Sequence, residues 1–284
     1  MKSMKSSIFW GALVALAAGC SSDDVGSGSL EVTTWGEEYI EEEIPAEDLA
    51  DGYSIKFDKF LIVLGKVRGQ ATSGDDSFVS EETVLFDLVT PGPHRLAGFD
   101  ALEAGDWERV GYSNPPIDET TTRDASASAK DATLMRDGGY SVYVEGSATQ
   151  GEDSYHFAWG FTHGTDYENC ITLVDGREQP GFTVGEGART TVELTIHGDH
   201  FFYDDLASPD AERRFQAYAD ADANEDGEVT LEELAEVKLF DIPSDQGPYG
   251  TGDFSRVDNL REFMGALVST LGHFNGEGHC EPQL

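Results

Sequence analysis

Apolar and polar positions alternate along many short segments before residue 200, which is typical of strands with one buried face. The alternation is clearest where Tyr155, Phe157, Trp159 and Phe161 fall on one side of an extended chain. Residues 53–67 alternate first and then become wholly apolar, which predicts either a pair of strands or one long bent strand in the core. Other segments that we predict to be strands lie at 30–35, 83–89, 106–112, 140–146, 169–174 and 189–197.

These segments follow one another through turn-rich connections and without intervening helices. Such an order argues for a β-sandwich domain over residues 30–205. The exception is the long polar stretch 113–139, whose part 125–136 is compatible with a short helix that ends at Gly138-Gly139.

Residues 206–284 change to a helical pattern. Ser208-Pro209-Asp210 offers a hydroxyl cap, a first-turn proline and an acidic residue, which together predict the start of a helix. Residues 258–271 predict a final helix whose apolar stripe consists of Leu260, Phe263, Leu267 and Leu271. The predicted fold is therefore mainly β, with a β-sandwich domain followed by a small α-helical subdomain.

The first 19 residues have the pattern of a signal peptide. Lys2 and Lys5 give a basic start, and residues 8–18 form an apolar run that is too short to remain as a membrane-spanning helix. We therefore exclude residues 1–19 from the predicted fold.

The next motif, Ala17-Ala18-Gly19-Cys20, resembles the cleavage box of bacterial lipoproteins. The resemblance implies cleavage before Cys20 and acylation of that cysteine, so that residues 20–29 would be a flexible tether from the membrane. Ser21 resembles the sorting signal for the outer membrane of a Gram-negative bacterium. The alternative is an ordinary secretory signal followed by a chance cysteine.

The charge of the chain is strongly acidic. The 284 residues include 18 Lys and Arg against 55 Asp and Glu, a formal charge of −37. Removal of residues 1–19 takes two lysines and no acidic residue, which leaves 16 basic and 55 acidic residues and a charge of −39. This balance excludes electrostatic binding to nucleic acid or to an anionic membrane surface. It favours high solubility or, as the alternative, a low-affinity reservoir of cations.

One acidic segment has oxygen-bearing side chains at regular intervals. Calcium takes about six to eight oxygen ligands, and a loop that offers one at every second residue surrounds it. The residues at these positions are Asp222, Asn224, Asp226, Glu228, Thr230 and Glu233, with Gly227 at the sharp turn. The segment resembles the EF-hand family, which implies that these residues bind one calcium ion, Glu228 through its carbonyl. The alternatives are a solvated acidic turn and a plain capping box from Thr230 to Glu233.

EF-hands commonly occur in pairs, but the sequence contains one such loop. Either this loop pairs across a dimer, or the helix predicted at 258–271 takes the place of the partner. A single extracellular loop is expected to bind calcium weakly, with a Kd of roughly 10⁻⁴–10⁻³ M.

A second group of candidate ligands follows the last predicted strand. Because Val192, Leu194 and Ile196 face one side, His197 faces the other, and Asp199 and His200 follow it closely. His273 and His279 lie near Cys280 and would join them if the tail folds back. These five residues are candidates for a second site that binds a transition metal. The alternative is that the histidines only make hydrogen bonds where the two parts of the chain meet.

Cysteine use points to an oxidising compartment. If Cys20 is acylated, Cys170 and Cys280 remain, and we predict a disulfide between them. Two free thiols and a thiolate metal ligand are the other interpretations.

The β domain resembles the MbnP-like copper-associated lipoproteins, on the basis of the His/Asp and aromatic cluster at 195–203 that ends its last strand. The whole layout is similar to EF-hand lipoproteins of Gram-negative bacteria, which implies location and calcium but no activity. The sequence lacks Gly-x-Ser-x-Gly, His-Glu-x-x-His and phosphate-loop motifs, so we do not expect an enzyme. A hydrolase that uses a pair of the many carboxylates, such as a glycosidase or phosphodiesterase, is the alternative.

We therefore expect a lipid-anchored calcium-binding protein of the cell envelope, in which calcium stabilises the helical subdomain. A transition-metal-binding protein and a calcium-dependent adhesion or envelope-assembly module are the alternatives. The membrane, through the anchor, is the only partner that the sequence indicates.

Overall fold

The longest element of the fold is a strand that is buried on both faces. This strand, β2 (Ser54–Ala71), contains the wholly apolar run of the sequence. Phe60 and Ile62 belong to the main core, whereas Leu61 and Val63 pack in a smaller core on the opposite face. Because both faces are covered, the run lacks the polar positions of a half-exposed strand. Of the two predictions for this region, one long strand is the one observed.

The structure is a computed structural model that describes residues 26–73, 75–252, 254 and 256–283. The predicted signal peptide, the acylation site Cys20 and most of the predicted tether lie outside the described residues.

The described residues contain eighteen strands. In addition to β2 they are β1 (Ser27–Trp35), β3 (Ser77–Val79), β4 (Thr83–Asp87), β5 (His94–Glu103), β6 (Gly105–Asn114), β7 (Thr122–Arg123), β8 (Val142–Gln150), β9 (Asp153–Phe161), β10 (Thr165–Glu168), β11 (Ile171–Val174), β12 (Arg177–Pro180), β13 (Phe182–Val184), β14 (Arg189–Ile196), β15 (Glu228–Val229), β16 (Gly272–Phe274), β17 (Gly278–His279) and β18 (Glu281–Gln283).

The helices are short. The α-helices are α1 (Glu37–Glu41), α2 (Ala129–Gly138), α3 (Gln216–Ala219), α4 (Leu231–Glu236) and α5 (Leu260–Leu267), and 3-10 turns cover Ala46–Asp48, Gly198–Phe202, Leu239–Asp241 and Val268–Thr270.

Two large sheets share one core. The smaller has the strand order β17-β16-β14-β1-β5, and the larger has β15-β9-β8-β2-β6-β10-β18 with β3, β4, β7 and β13 beside this path. Val32 and Leu194 of the smaller sheet lie in the same apolar cluster as Phe57 and Trp159 of the larger. The mainly β, sandwich-like fold predicted from the alternation is therefore confirmed.

Helix α2 covers the outer face of β2. Its N-cap Ser128 forms a capping box with Asp131, and Gly139 ends it in the left-handed conformation. Met135 packs with Leu61 and Val63 in the smaller core. The helix expected within the polar stretch is present, and its apolar side chains bury this face of β2.

The helix predicted to begin at Ser208 begins only at Gln216, so that prediction was wrong. The amide of Glu212 donates to Asp204 Oδ1 at 2.9 Å, and the amide of Gln216 donates to Asp51 Oδ2 at 2.7 Å. Amides of this segment are thus bonded to side chains elsewhere in the fold, and a cap-like sequence did not suffice to start a helix.

The C-terminal segment returns to both sheets. Helix α5 is capped by Asn259 and packs against α4, after which β16 pairs with β14 and β18 pairs with β10. The sulfurs of Cys170 and Cys280 are 2.04 Å apart, so the predicted disulfide is present and the free-thiol and thiolate interpretations fall away. Apolar side chains of 206–284, including Phe215 and Phe263, belong to the main core. Among the described residues, no helix combines the length and the apolar character needed to cross a bilayer.

The disulfide closes a long loop, because its two cysteines are 110 residues apart in sequence. We expect the double variant Cys170→Ser, Cys280→Ser to lose about 3–5 kcal/mol of unfolding free energy, since an open loop leaves the unfolded chain more entropy. Denaturant unfolding of variant and wild type measures the difference. Equal midpoints and slopes for the two proteins would show that this connection contributes nothing.

Candidate metal centre

The register of β14 and β16 brings histidines together from two distant parts of the chain. Thr195 lies opposite His273 in this antiparallel pair, and residues opposite one another share a face of the sheet. His197, two residues beyond Thr195, continues the same face, opposite to Ile196. The amide of His197 also donates to the carbonyl of Leu271 at 2.9 Å, which extends the pairing beyond the strand end.

The 3-10 turn Gly198–Phe202 then brings the third histidine into place. The ring centroids of His197 and His273 are 4.0 Å apart, and those of His200 lie 5.3 and 5.2 Å from the other two. Two groups of potential ligand atoms result, each within 4.8 Å: His197 with Asp199 and His200, and His197 with His273 and Glu277. We call His197, His200, His273 and Asp199 the histidine cluster.

Several polar atoms of the cluster are buried without a partner. Arg213 and Tyr203 both donate to Asp199 Oδ2, at 3.1 and 3.2 Å. Asp199 Oδ1, His197 Nε2 and His273 Nδ1 have no hydrogen-bond partner among the described residues. A buried polar atom that lacks a partner costs about 1–3 kcal/mol. The cluster therefore holds electron-pair donors that the protein itself does not use.

His200 and His273 are held in the neutral form that binds metals. Burial, followed by the charge of neighbouring His197, lowers the pKa of both His200 and His273 to about 3. His200 Nδ1 lies 3.0 Å from Thr270 Oγ1, which fixes the orientation of that ring. Neutral imidazole is the state that offers a nitrogen lone pair to a metal ion.

Two carboxylates beside the cluster were not identified from the sequence. Glu277 lies between the two tail histidines and could have been noticed by its position. Glu37 Oε2 lies 3.5 Å from His197 Nδ1. This contact arises from the packing of α1, and no local pattern in the sequence indicates it. Burial and the nearby Glu277 and Asp199 carboxylates raise the pKa of Glu37 to about 7.

His279 has a different environment from the other predicted ligands. It lies opposite His273 in the pair of β16 and β17, but its side chain is exposed and it belongs to neither ligand group of the described residues. The remaining candidates from the sequence, His197, Asp199, His200 and His273, converge as described.

The donor set of the cluster consists of imidazole nitrogens and carboxylate oxygens. Such a set suits Zn²⁺ or Cu²⁺, whereas sulfur ligands would favour Cu⁺. The residues present therefore fit a divalent transition metal, because ring nitrogens without a hydrogen-bond partner among the described residues lie close to a carboxylate that Arg213 anchors.

The acidic loop at 222–233 has a curled backbone. Gly227 has a φ of +81° at the sharp turn, and its amide donates to Asp222 Oδ2 at 2.9 Å. The amide of Asp226 donates to Asn224 Oδ1 at 2.8 Å. These bonds draw side-chain oxygens towards the inside of the loop, as a cation site requires.

The last residue of the loop has another contact. Glu233 and Thr230 form a capping box, in which Glu233 Oε2 accepts from the Thr230 amide at 3.0 Å. Within the described part of the chain, carboxylates of this loop do not form a group of three with ligand atoms inside 4.8 Å. Calcium binding by Asp222, Asn224, Asp226, Glu228, Thr230 and Glu233 stays a prediction.

The loop is docked on the larger sheet. Its strand β15 pairs in parallel with β9, with Glu228 opposite His156 and Val229 opposite Phe157. Trp159 Nε1 donates to the buried carbonyl of Val229 at 2.8 Å. The partner of the loop strand is therefore the sheet of the same chain, which neither of our two sequence-based alternatives included.

Comparison of the chain with protein-family models, with curated proteins and with solved structures found no match. The resemblances to EF-hand and MbnP-like proteins remain expectations from the sequence.

We expect Trp159→Phe to loosen the docked loop, because the Val229 carbonyl loses its donor, at a cost of about 1–3 kcal/mol. Amide exchange of residues 227–230 should become at least about fivefold faster, the equivalent of about 1 kcal/mol. Trp107→Phe is the matched control, since Trp107 Nε1 donates to the carbonyl of Glu103 at the end of β5, away from the loop. Equal acceleration in both variants would contradict a specific docking role of Trp159.

Proposed function

We propose that this chain is a metal-binding protein of the cell envelope whose functional centre is a transition-metal site at the histidine cluster, with His197 and His273 as its central ligands. The proposal rests on two buried ring nitrogens, His197 Nε2 and His273 Nδ1, that have no hydrogen-bond partner among the described residues. A divalent metal ion would accept both lone pairs and so remove the cost of burying them. Asp199 or Glu277 would supply a carboxylate oxygen.

The competing interpretation gives the histidines only hydrogen-bonding roles. It accounts for His200, whose Nδ1 lies beside Thr270 Oγ1. It does not account for His197 and His273, because a histidine that serves a hydrogen-bond network has partners for its nitrogens. Metal binding is therefore better supported than a structural network.

We propose a binding role and no catalytic step. His197 and Asp199 are 8% and 4% exposed, which favours retention of an ion over its presentation to a substrate. Arg213 and Tyr203 donate hydrogen bonds to Asp199 and hold its carboxylate in one orientation. Hydrogen bonds of this kind commonly orient the ligands of metal sites. Zn²⁺ and Cu²⁺ are the ions that this donor set would hold.

Calcium binding at 222–233 is our second proposal, in a structural role. The turn at Gly227, the inward oxygens of Asp222 and Asn224 and the docked β15 support it. Calcium would link α3 and α4 at the point where the loop meets β9. Met135 and Met264 are buried, so these two residues do not form an exposed, methionine-rich surface of the kind that calcium sensors use.

Attachment to the envelope is proposed from the sequence alone. Acylation of Cys20 would tether the fold to the outer membrane, and the Cys170–Cys280 disulfide agrees with an oxidising compartment. A calcium-dependent adhesive role would use the same anchor, and no contact in the described residues favours it over metal binding.

We expect the full chain to bind one Zn²⁺ or Cu²⁺, and we expect His273→Ala to bind it at least about 100-fold more weakly. Loss of an outer-shell group already weakens metal binding by about 10–100-fold, and a lost ligand costs more. Native mass spectrometry gives the stoichiometry, and chelator competition gives the affinity. An ion at 100 times its Kd should also stabilise the wild type by about 2.7 kcal/mol.

His163→Ala is the matched control, because His163 is exposed and lies outside the cluster. It should bind as the wild type does. The proposal is wrong if the wild type binds neither ion, or if His273→Ala and His163→Ala have the same affinity.

For the calcium loop we expect Glu233→Gln to raise the Kd for calcium by at least about tenfold, because the closing carboxylate is lost. Glutamine can still form the capping box with Thr230, so the start of α4 should be preserved. Calorimetric titration measures the Kd, and circular dichroism checks the helix. Glu232→Gln removes the same charge from an exposed neighbour and should leave the Kd unchanged. Calcium binding that is unaffected in Glu233→Gln, or absent in the wild type, contradicts the proposed loop site.

A further inference from the structure

An open acidic recess lies beside α1. Its volume is about 510 Å³, and its walls include Trp35, Tyr39 and Pro45. Five carboxylates line it, from Glu37, Glu38, Glu42, Glu43 and Asp48, and none of the lining residues is a lysine or arginine. Arg213 stacks over the Tyr39 ring and bonds to Asp199.

Glu37 connects this recess to the histidine cluster. It lines the recess, and its Oε2 also lies 3.5 Å from Nδ1 of His197, a residue that is 8% exposed and has an unpartnered Nε2. Glu37 thus separates open, carboxylate-lined space from buried lone pairs that the protein leaves unused.

The backbone of Glu37 is held in a costly conformation. Its φ is +56°, in the left-handed region, which costs a residue with a side chain about 1–2 kcal/mol. Helix α1 also packs closely on the turn that carries His200, because a Cβ added at Gly198 would lie 2.5 Å from Ile40 Cγ1. Glu37 and the turn that carries His200 are therefore positioned as one unit. Strained residues that the surroundings fix in place concentrate at functional sites.

We propose that this recess is the route by which a divalent cation reaches the histidine cluster, and that Glu37 transfers the ion from the recess to His197. The proposal rests on the transition-metal site proposed above. The exposed carboxylates Glu38, Glu42 and Glu43 attract the ion, and the half-buried Glu37 is the last oxygen ligand before the imidazoles.

The electrostatic basis is the focusing of a single sign of charge in a recess. Such clefts raise the local concentration of a counter-ion and its association rate by about 10–1,000-fold, with a steep dependence on ionic strength. The effect acts on the encounter, so it changes association and leaves dissociation of the bound ion alone. If the acidic residues served solubility alone, removing charges from the recess would slow metal association no more than removing charges elsewhere on the surface.

The test uses the full chain and follows Cu²⁺ binding by stopped-flow quenching of tryptophan fluorescence. The triple variant Glu38→Gln, Glu42→Gln, Glu43→Gln removes three charges from the recess. Its control, Glu81→Gln, Glu119→Gln, Glu178→Gln, removes three charges from exposed residues that do not line it. We expect the recess variant to associate about tenfold more slowly at low ionic strength, and to match the control at about 1 M salt, where the screening length is about 3 Å.

Glu37→Gln tests the transfer step. Because Glu37 contacts His197, we expect its loss to slow association and to weaken equilibrium binding by about 10–100-fold. Glu119→Gln, which removes the same charge from an exposed residue outside the recess, should leave the Kd within about twofold of the wild type.

The outcomes separate this inference from the proposed function. A wild type that binds no Cu²⁺ overturns both. A wild type that binds, with equal association rates for the recess and control variants, overturns the route and leaves the metal site standing. A recess variant that changes only dissociation also overturns the route, because these carboxylates would then hold the ion. An unchanged Kd and rate in Glu37→Gln overturns the transfer role.

Discussion

Both the fold and the histidine cluster depend on the backbone pairing of β14 with its two neighbours. Parallel pairing with β1 fixes β14 inside the smaller sheet, and antiparallel pairing with β16 sets His273 opposite Thr195. The ring–ring approach of His197 and His273 is thus imposed by main-chain hydrogen bonds and by the pleat, and it needs no attraction between the rings. A slip of one residue in this register would place the two rings on opposite faces of the sheet.

Much of the fold was predictable because local patterns and tertiary burial agree. The face formed by Tyr155, Phe157, Trp159 and Phe161 was predicted from alternation and belongs to the core side of β9. For the central run of β2 the pattern predicts either a pair of strands or one long strand, because burial on both faces removes the polar positions that mark a register. The helix start at Ser208 failed for a different reason. The amide of Glu212 donates to Asp204, and the helix begins only where the amide of Gln216 donates to Asp51, a contact 165 residues away in sequence that no local pattern reveals.

The residues of the candidate site also fall into those that the sequence predicts and those that only the tertiary packing reveals. His197, Asp199 and His200 were found because they follow one another at a strand end, and His273 because the cysteines suggested that the tail folds back. Glu37 was not found, since its contact with His197 arises from the packing of Ile40 against Gly198. Docking of the loop strand on β9 was also missed. It depends on Trp159, which the sequence marks only as one more apolar residue of a strand.

The order of the cluster residues along the chain bears on when the site can exist. His197 and His200 are synthesised well before His273, and His273 comes to its place only when β16 pairs with β14. A partly made chain, or one whose final strands are still unpaired, therefore carries an incomplete cluster. The disulfide joins Cys280 to Cys170, so it fastens the same C-terminal segment that carries His273 to the middle of the chain. All three rings can therefore meet only after the C-terminal strands have been synthesised and have paired.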